Sequence, residues 1–329
     1  MKKDKTLLYD FLKAKRILIL GFGREGQDSL KFIKEYYDQI EPAELGIADL
    51  NPIREELLEP YKALGKIRTY TGENYLEAMA DFDLVLKSPG ISFKDFTIVR
   101  EPGKISLAEY PGVQISSQMD LFLRFAPGTI AGISGTKGKS TTTSLVYEIF
   151  KAQVRKEQAE GNKASQAYLL GNIGVPVLKY WDQYDEHAYL ACEMSSHQLE
   201  FVTASPQAAI LTNFYPEHLD HYQSYDQYLE AKLNICRFQD KDGLLVVDSN
   251  EEELMQRVQA FYKKKLIDVR MEEKPSFRKD ERSVPSYVLQ EGNQYLAKVD
   301  ETLKAEVRRL VDNPQLAARH QKLDALLAT

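Results

Sequence analysis

At 329 residues, with 43% hydrophobic and 28% charged side chains, the chain has enough apolar material for two cores of ordinary domain size. A net charge of −6, with no long run of one sign, argues against general attraction to nucleic acid or an anionic membrane surface and points to small molecules as partners. No stretch approaches the about 18 uninterrupted apolar residues of a membrane span, so a cytoplasmic protein without membrane insertion is expected. Cys192 and Cys236 are too few for a disulfide framework and lie in no CxxC pair, so both read as reduced core residues.

In chain order, RILIL at 16–20 reads as a strand, followed by a helix from about Glu25 to Tyr37. LGIAD at 45–49 gives a second strand, a helix is expected after Pro52, and DLVLK at 83–87 gives a third strand. This is the alternation of a parallel sheet. A helix ending at Phe125, with Pro127 and Gly128 behind it, marks the join to a second α/β unit. There TIAGI, AYLL, HAYLACE, AAILTN and GLLVVD are strands, with helices through Val146 and Phe150 and around Tyr228 to Ile235. Residues 151–166 read as an exposed helix extension with a loop. From Lys263 to about Asp300 the short alternating pieces SYVLQ and QYLAKV suggest a small antiparallel appendage. Domain boundaries are expected at 1–125, 126–315 and 316–329.

Two glycine loops carry the chemistry. In TIAGISGTKGKSTTTSL an apolar strand runs into a glycine turn, and Lys139, Ser140 and Thr141 open a helix. Backbone N–H groups at that helix start make an anion site, the lysine adds charge, and a hydroxyl can ligate Mg²⁺. The usual phosphate-loop pattern asks for glycine where Ile133 stands, with Gly132 and Gly135 on either side, so the match is not literal. The other loop, GFGREG after RILIL with Asp49 closing the next strand, fits a dinucleotide fingerprint, and NAD is one reading of it. The same turn can hold the diphosphate of a UDP-sugar.

GTKGKST in this setting, followed by GNIG at 171–174, CEMSSHQLE at 192–200 and TNFYPEHLDHYQSYDQYLEAK at 212–232, resembles the Mur ligase family of ATP-dependent amide-bond-forming enzymes. GFGREG, IADLNP and LVLKSPGIS are similar to the N-terminal pieces of its D-glutamate-adding members, although another specificity within the family shares the central motif. The resemblance implies an α/β protein with an N-terminal Rossmann-like UDP-binding domain and a P-loop ATP-binding central domain. It implies ATP, Mg²⁺ (two ions), UDP-N-acetylmuramoyl-L-alanine and D-glutamate as cofactor and substrates, with a monomer as the working form. By resemblance, ATP is held by Gly135, Thr136, Lys137, Gly138, Lys139, Ser140 and Thr141. Metal falls to Ser140, Glu193, His218 and Lys232, and the catalytic set is Lys139, Glu193, His218 and Lys232, the last carbamylated. His197 and His221 have weaker claims. The UDP-substrate set is Gly23, Arg24 and Glu25 on the diphosphate side, Asp49 and Asn51 on the uridine side, Ser88 and Gly90 nearby, and Asn172, Ser195 and Ser196 near the reacting carboxylate.

Lys137 departs from the pattern, since these members carry Asn there. Resemblance covers roughly two of the family's three domains. His320 stands at the position opening the third, with Gln321 and Asp324 in place of the expected asparagines. A truncated ligase or a natural two-domain relative would both fit, and a non-catalytic nucleotide-binding module is the rival expectation.

Overall fold

The computed structural model describes residues 3–94, 98–100, 103–105, 112–161, 166–218, 220–248, 251–272, 283–291 and 294–298. Its first unit runs α1 (Thr6–Leu12), β1 (Arg16–Leu20), α2 (Arg24–Glu35), α3 (Tyr37–Ile40), β2 (Glu44–Asp49), β3 (Ile67–Thr71) and β4 (Leu84–Lys87). The short pair β5 (Ile98–Arg100) and β6 (Gly103–Ile105) follows, then β7 (Gln114–Ser116). The sheet order is β3-β2-β1-β4-β7, every neighbour parallel. The apolar runs of β1 and β4 are buried along nearly their whole length, as a sheet covered on both faces requires.

The helix expected after Pro52 is not an α-helix. Two 3₁₀ turns, Glu55–Leu57 and Glu59–Leu64, take its place. Pro60 has no N–H to give the carbonyl one turn back and its ring crowds that carbonyl, so a continuous helix is broken there.

The join is α4 (Gln118–Phe125), in which all but Arg124 is buried. Ser117 caps it, accepting from the Asp120 N–H at 3.1 Å. The Asp120 carboxylate, itself 1% exposed, accepts from Ser116 Oγ at 2.7 Å and from the Thr203 N–H and hydroxyl at 2.7 and 2.8 Å. A buried carboxylate with this many donors is satisfied, and here its partners come from both units.

The second unit contains β8 (Thr129–Ser134), α5 (Lys139–Ala159), β9 (Ala167–Gly171), β10 (Tyr189–Glu193), α6 (Ser196–Leu199), β11 (Ala208–Leu211) and α7 (Tyr225–Arg237). It continues through β12 (Leu244–Asp248), α8 (Glu252–Phe261), β13 (Lys265–Glu272), β14 (Ser283–Glu291) and β15 (Gln294–Lys298). The order is β15-β14-β13-β12-β11-β8-β10-β9. The expected appendage extends this sheet: β13 and β14 join it in parallel, and β14–β15 is its antiparallel pair. His320, Gln321 and Asp324 lie outside the described residues.

One hydrophobic core runs through both units. Trp181, 1% exposed, meets Phe32 of α2 edge-on at 6.0 Å and Tyr184 at 6.2 Å, so an aromatic cluster bridges the first sheet's helix layer and the second unit.

The first glycine loop depends on close approach. A Cβ at Gly26 would lie 2.0 Å from the Gly21 carbonyl oxygen, whereas one at Gly90 would meet nothing within 4 Å among the described residues. Gly26→Ala should therefore lower stability by about 1–3 kcal/mol in thermal or urea unfolding, with Gly90→Ala within about 0.5 kcal/mol of the parent. Equal midpoints for the two variants would show that the loop is not packed this way.

Candidate functional site

Both loops follow the first strand of their sheets, at the carboxyl edge, and the two edges face a cleft of about 560 Å³. Arg24, Glu25, Asp28, Gly90 and Gln118 line it from the first unit; Lys139, Asn172, Ser195, His197, Gln198, His218 and His221 line it from the second. Asp28, Gln118 and Gln198 were not singled out in the sequence. Only Gln198 had a local signal, the Ser-x-x-Gln spacing of a capping box, and it does cap α6 with Ser195.

At the first loop, Asp49 is committed to the backbone. It accepts from the Phe22 N–H at 2.7 Å and the Asn51 N–H at 2.8 Å, pinning the β1–α2 turn to the end of β2. Ser88 donates to the Gly21 carbonyl at 2.8 Å, and Gly23 is the exposed N-cap of α2. Glu25 differs from its neighbours: burial pushes its carboxyl up to about 7, with Lys87 opposing and Asp28 adding to the shift.

The second loop is built by partners from the loop after β11 and from α7. The Thr136 side chain is buried, with its hydroxyl 3.0 Å from Tyr228 Oη and accepting from the Tyr215 N–H. Gly138 is the N-cap of α5, Lys139 Nζ donates to the Thr136 carbonyl at 2.9 Å, Ser140 is exposed and Thr141 half-buried. Burial lowers the Lys139 ammonium pKa, with Glu193 and Glu217 opposing. The unexpected Lys137 has a partner, Glu217, at 2.6 Å.

Glu193 ends β10 and is 1% exposed. Asn172 Nδ2 donates to its Oε1 at 2.8 Å, leaving Oε2 buried with no hydrogen-bond partner among the described residues. That contact needs Gly171, φ +90°, where a Cβ would stand 2.1 Å from the Glu193 carbonyl oxygen. An orphaned buried carboxylate oxygen fits a cation. Among the described residues no group of three or more His, Cys, Asp or Glu side chains forms a metal cage, so a cation here would need oxygen ligands from elsewhere. This suits Mg²⁺, which binds through one or two carboxylates plus substrate phosphates.

Lys232 is 2% exposed on α7, donates from Nζ to the Gly135 carbonyl at 2.6 Å and lies 4.8 Å over the Tyr228 ring. Burial, then Lys139, drives its pKa down to about 7. His218, half-exposed and at an unusual φ of +57°, packs its ring 4.7 Å from His197, which in turn lies 4.1 Å from His221. Burial and the two flanking imidazoles hold His197 down at about 4. Ser195 caps α6 beside the cleft, while Ser196 is buried.

Behind this cluster sits an ion-paired chain. Lys87 of β4 reaches Glu200 at 3.0 Å, Glu200 contacts His221 Nε2 at 3.2 Å, and Lys87 is flanked by the Phe93 and Phe201 rings. Burial alone would raise the Glu200 carboxyl, but His221 and Lys87 hold it below its ordinary value.

The Glu25 carboxyl makes stability pH-dependent. Its folded-state pKa is raised from 4.5 to about 7, so its contribution is present in full below about 4.5 and is lost as pH rises through about 7. The melting temperature of Glu25→Gln minus that of the parent should grow from pH 4.5 to 7 and then level off. A difference flat across that range would place the carboxyl in an aqueous environment.

The model of the Mur ligase middle domain matches residues 133–309, more than half of the chain. UDP-N-acetylmuramoylalanine–D-glutamate ligases of Clostridium acetobutylicum and Clostridium kluyveri are each 30% identical over 258 residues, covering 77% of this chain and 50% of theirs. The chain thus spans about half the length of the curated relatives it matches. The crystal structure of a UDP-N-acetylmuramate:L-alanyl-γ-D-glutamyl-meso-diaminopimelate ligase from Neisseria meningitidis shares the fold at TM-score 0.51 and 15% identity, over 95% of this chain and 91% of that one. The second glycine loop, the orphaned glutamate and the buried lysine therefore sit in a sequence context with a known lineage: the chain belongs to the Mur ligase family.

Proposed function

We propose that this chain binds ATP and a UDP-N-acetylmuramoyl-peptide acceptor in the cleft between its sheets, as part of an ATP-dependent ligase that adds D-glutamate to UDP-N-acetylmuramoyl-L-alanine in peptidoglycan synthesis. The single observation that carries the reading is the convergence of two glycine loops, one at each sheet's carboxyl edge, on one cleft with Lys139 and Asn172 in its wall. Names of the D-glutamate-adding relatives supply the acceptor and the amino acid.

Joining a carboxylate to an amine near neutral pH is uphill, so the carboxylate must first be activated. A carboxylate oxygen of the acceptor attacks the γ-phosphorus of ATP, the bond to the β-phosphate oxygen breaks, and ADP and an acyl phosphate form. The amine of D-glutamate then attacks the acyl carbon, forming the amide; inorganic phosphate leaves and the nitrogen gives up a proton. Lys139 and the N–H groups opening α5 hold the phosphates of ATP and neutralise charge as it shifts. Glu193 Oε2 and the Ser140 hydroxyl would hold Mg²⁺, which when bound would supply Lewis-acid charge neutralisation at the phosphates. His218 and Ser195 face the acceptor from the second sheet, and Arg24 faces its diphosphate from the first. Asp49, held by the loop backbone, shapes the turn on the uridine side with Asn51.

Lys232 is suited to carbamylation by its chemistry. An amine with a pKa near 7 is substantially neutral at physiological pH and can attack CO₂, forming the N–C bond and losing a proton. The neutral amine thereby becomes an anion beside Lys139 and within electrostatic range of Glu193, a second anionic group that would be available to a metal.

Isothermal titration of the 329-residue chain with UDP-N-acetylmuramoyl-L-alanine, against UDP and NADH as controls, should show binding at roughly micromolar Kd with no NADH binding. Failure of folded protein to bind the UDP-sugar peptide would remove the acceptor assignment. With ¹³C-bicarbonate, a carbamate carbon resonance should appear in the parent and vanish in Lys232→Arg; a resonance retained in the variant would move the modification elsewhere.

A further inference from the structure

Lys137 combines a fixed backbone with an exposed side chain held by one surface ion pair. Its N–H donates to Asn213 Oδ1 at 2.8 Å, and its carbonyl accepts from Thr212 Oγ1 at 2.6 Å and Asn213 Nδ2 at 3.0 Å. The main chain at this position is therefore consumed by the loop after β11 and is not offered to a phosphate. The side chain is 70% exposed, beside the N-cap of α5, and among the described residues it is ion-paired to Glu217 Oε1 at 2.6 Å. Lys139 differs on each count, being half-buried and tied back to the Thr136 carbonyl.

We propose that Lys137 is a second phosphate ligand of the loop, held on Glu217 until the terminal phosphate of the nucleotide arrives and then exchanged onto it. The proposal rests on the ATP reading above and adds the residue that senses the third phosphate. Two magnitudes favour exchange. An exposed lysine–carboxylate pair is worth about 0–1 kcal/mol, so releasing it costs little. A charge-assisted bond to a phosphate oxygen at a helix N-terminus is the stronger partner, because the backbone donors hold that oxygen in place. Glu217 also lies within electrostatic range of Lys139 and His218, so it keeps positive neighbours once Lys137 has moved. The ion pair keeps this carboxylate neutralised while the site is empty, and the exchange moves one cation by a side-chain rotation without breaking any covalent bond.

The rival role is a clasp, in which Lys137–Glu217 merely ties the 212–218 loop to the phosphate loop. Breaking the pair from its two ends separates the roles. AMP-PNP and AMP are titrated, with magnesium, into the full chain and into Lys137→Met and Glu217→Gln, each first checked for a parent-like melt. Phosphate exchange requires opposite signs: Lys137→Met weakens AMP-PNP binding about tenfold with AMP unchanged, and Glu217→Gln, which frees the lysine, tightens AMP-PNP about two- to threefold. A clasp requires both variants to weaken binding alike, and that result, or no shift in either, overturns the proposal. A parent chain that binds AMP while both variants shift together leaves the nucleotide site standing and removes only the exchange. A parent chain that binds neither nucleotide overturns the ATP reading and this inference with it.

Discussion

Everything in the cleft depends on where a parallel sheet changes winding direction. In the first sheet the chain starts at β1 and reaches β2 and β3 on one side before crossing to β4. In the second it starts at β8, places β10 and β9 on one side, and then lays β11 and β12 on the other. Adjacent loops diverge at such a point and leave a crevice beyond the strand ends. Both glycine loops follow the strand at that point, and the partners that shape them come from across it. Asp49 at the end of β2 grips one turn, while Thr212 and Asn213 after β11 grip the other.

A crevice made from two sheets is useful only if the sheets hold their relative position. Two buried ionic groups do this by different means. Asp120 is saturated by hydroxyl and backbone donors from both units, so its charge is dispersed over several short bonds. Lys87 instead crosses to Glu200, whose other contact is His221, the histidine that packs on His197. Removing Glu200 would strand the 2%-exposed Lys87 ammonium, which makes the pairing a strong specifier of one domain arrangement even where its net contribution to stability is small.

Much of this fold is legible in the chain because the strands are short apolar runs bounded by turn residues, and β1, β4, β8 and β10 fall within a residue or two of where periodicity puts them. The segment after Pro52 is not, because its apolar spacing is helical while Pro60 forbids the helix. Within the site, Lys139 in its loop and Glu193 at a strand end stand out from their local motifs. Lys232 in YLEAK reads by spacing alone as a surface helical lysine and is singled out only by resemblance; the structure buries it. Pairings could not be read locally. Lys137 and Glu217 are 80 positions apart and Lys87 and Glu200 are 113 apart, and no local pattern links residues at such separations. The odd lysine in the phosphate loop becomes intelligible only when its carboxylate is seen beside it.

Trp181 has an optical consequence. It is the one tryptophan of the chain, and it is fully buried against Phe32 from one unit and Tyr184 from the other. Its emission therefore reports on the seam between the sheets, since an indole in a dry aromatic cluster fluoresces at shorter wavelength than one in water. Parting of the two units would be visible as a red shift without any label, with excitation at the red edge of indole absorption, where the nineteen tyrosines contribute little.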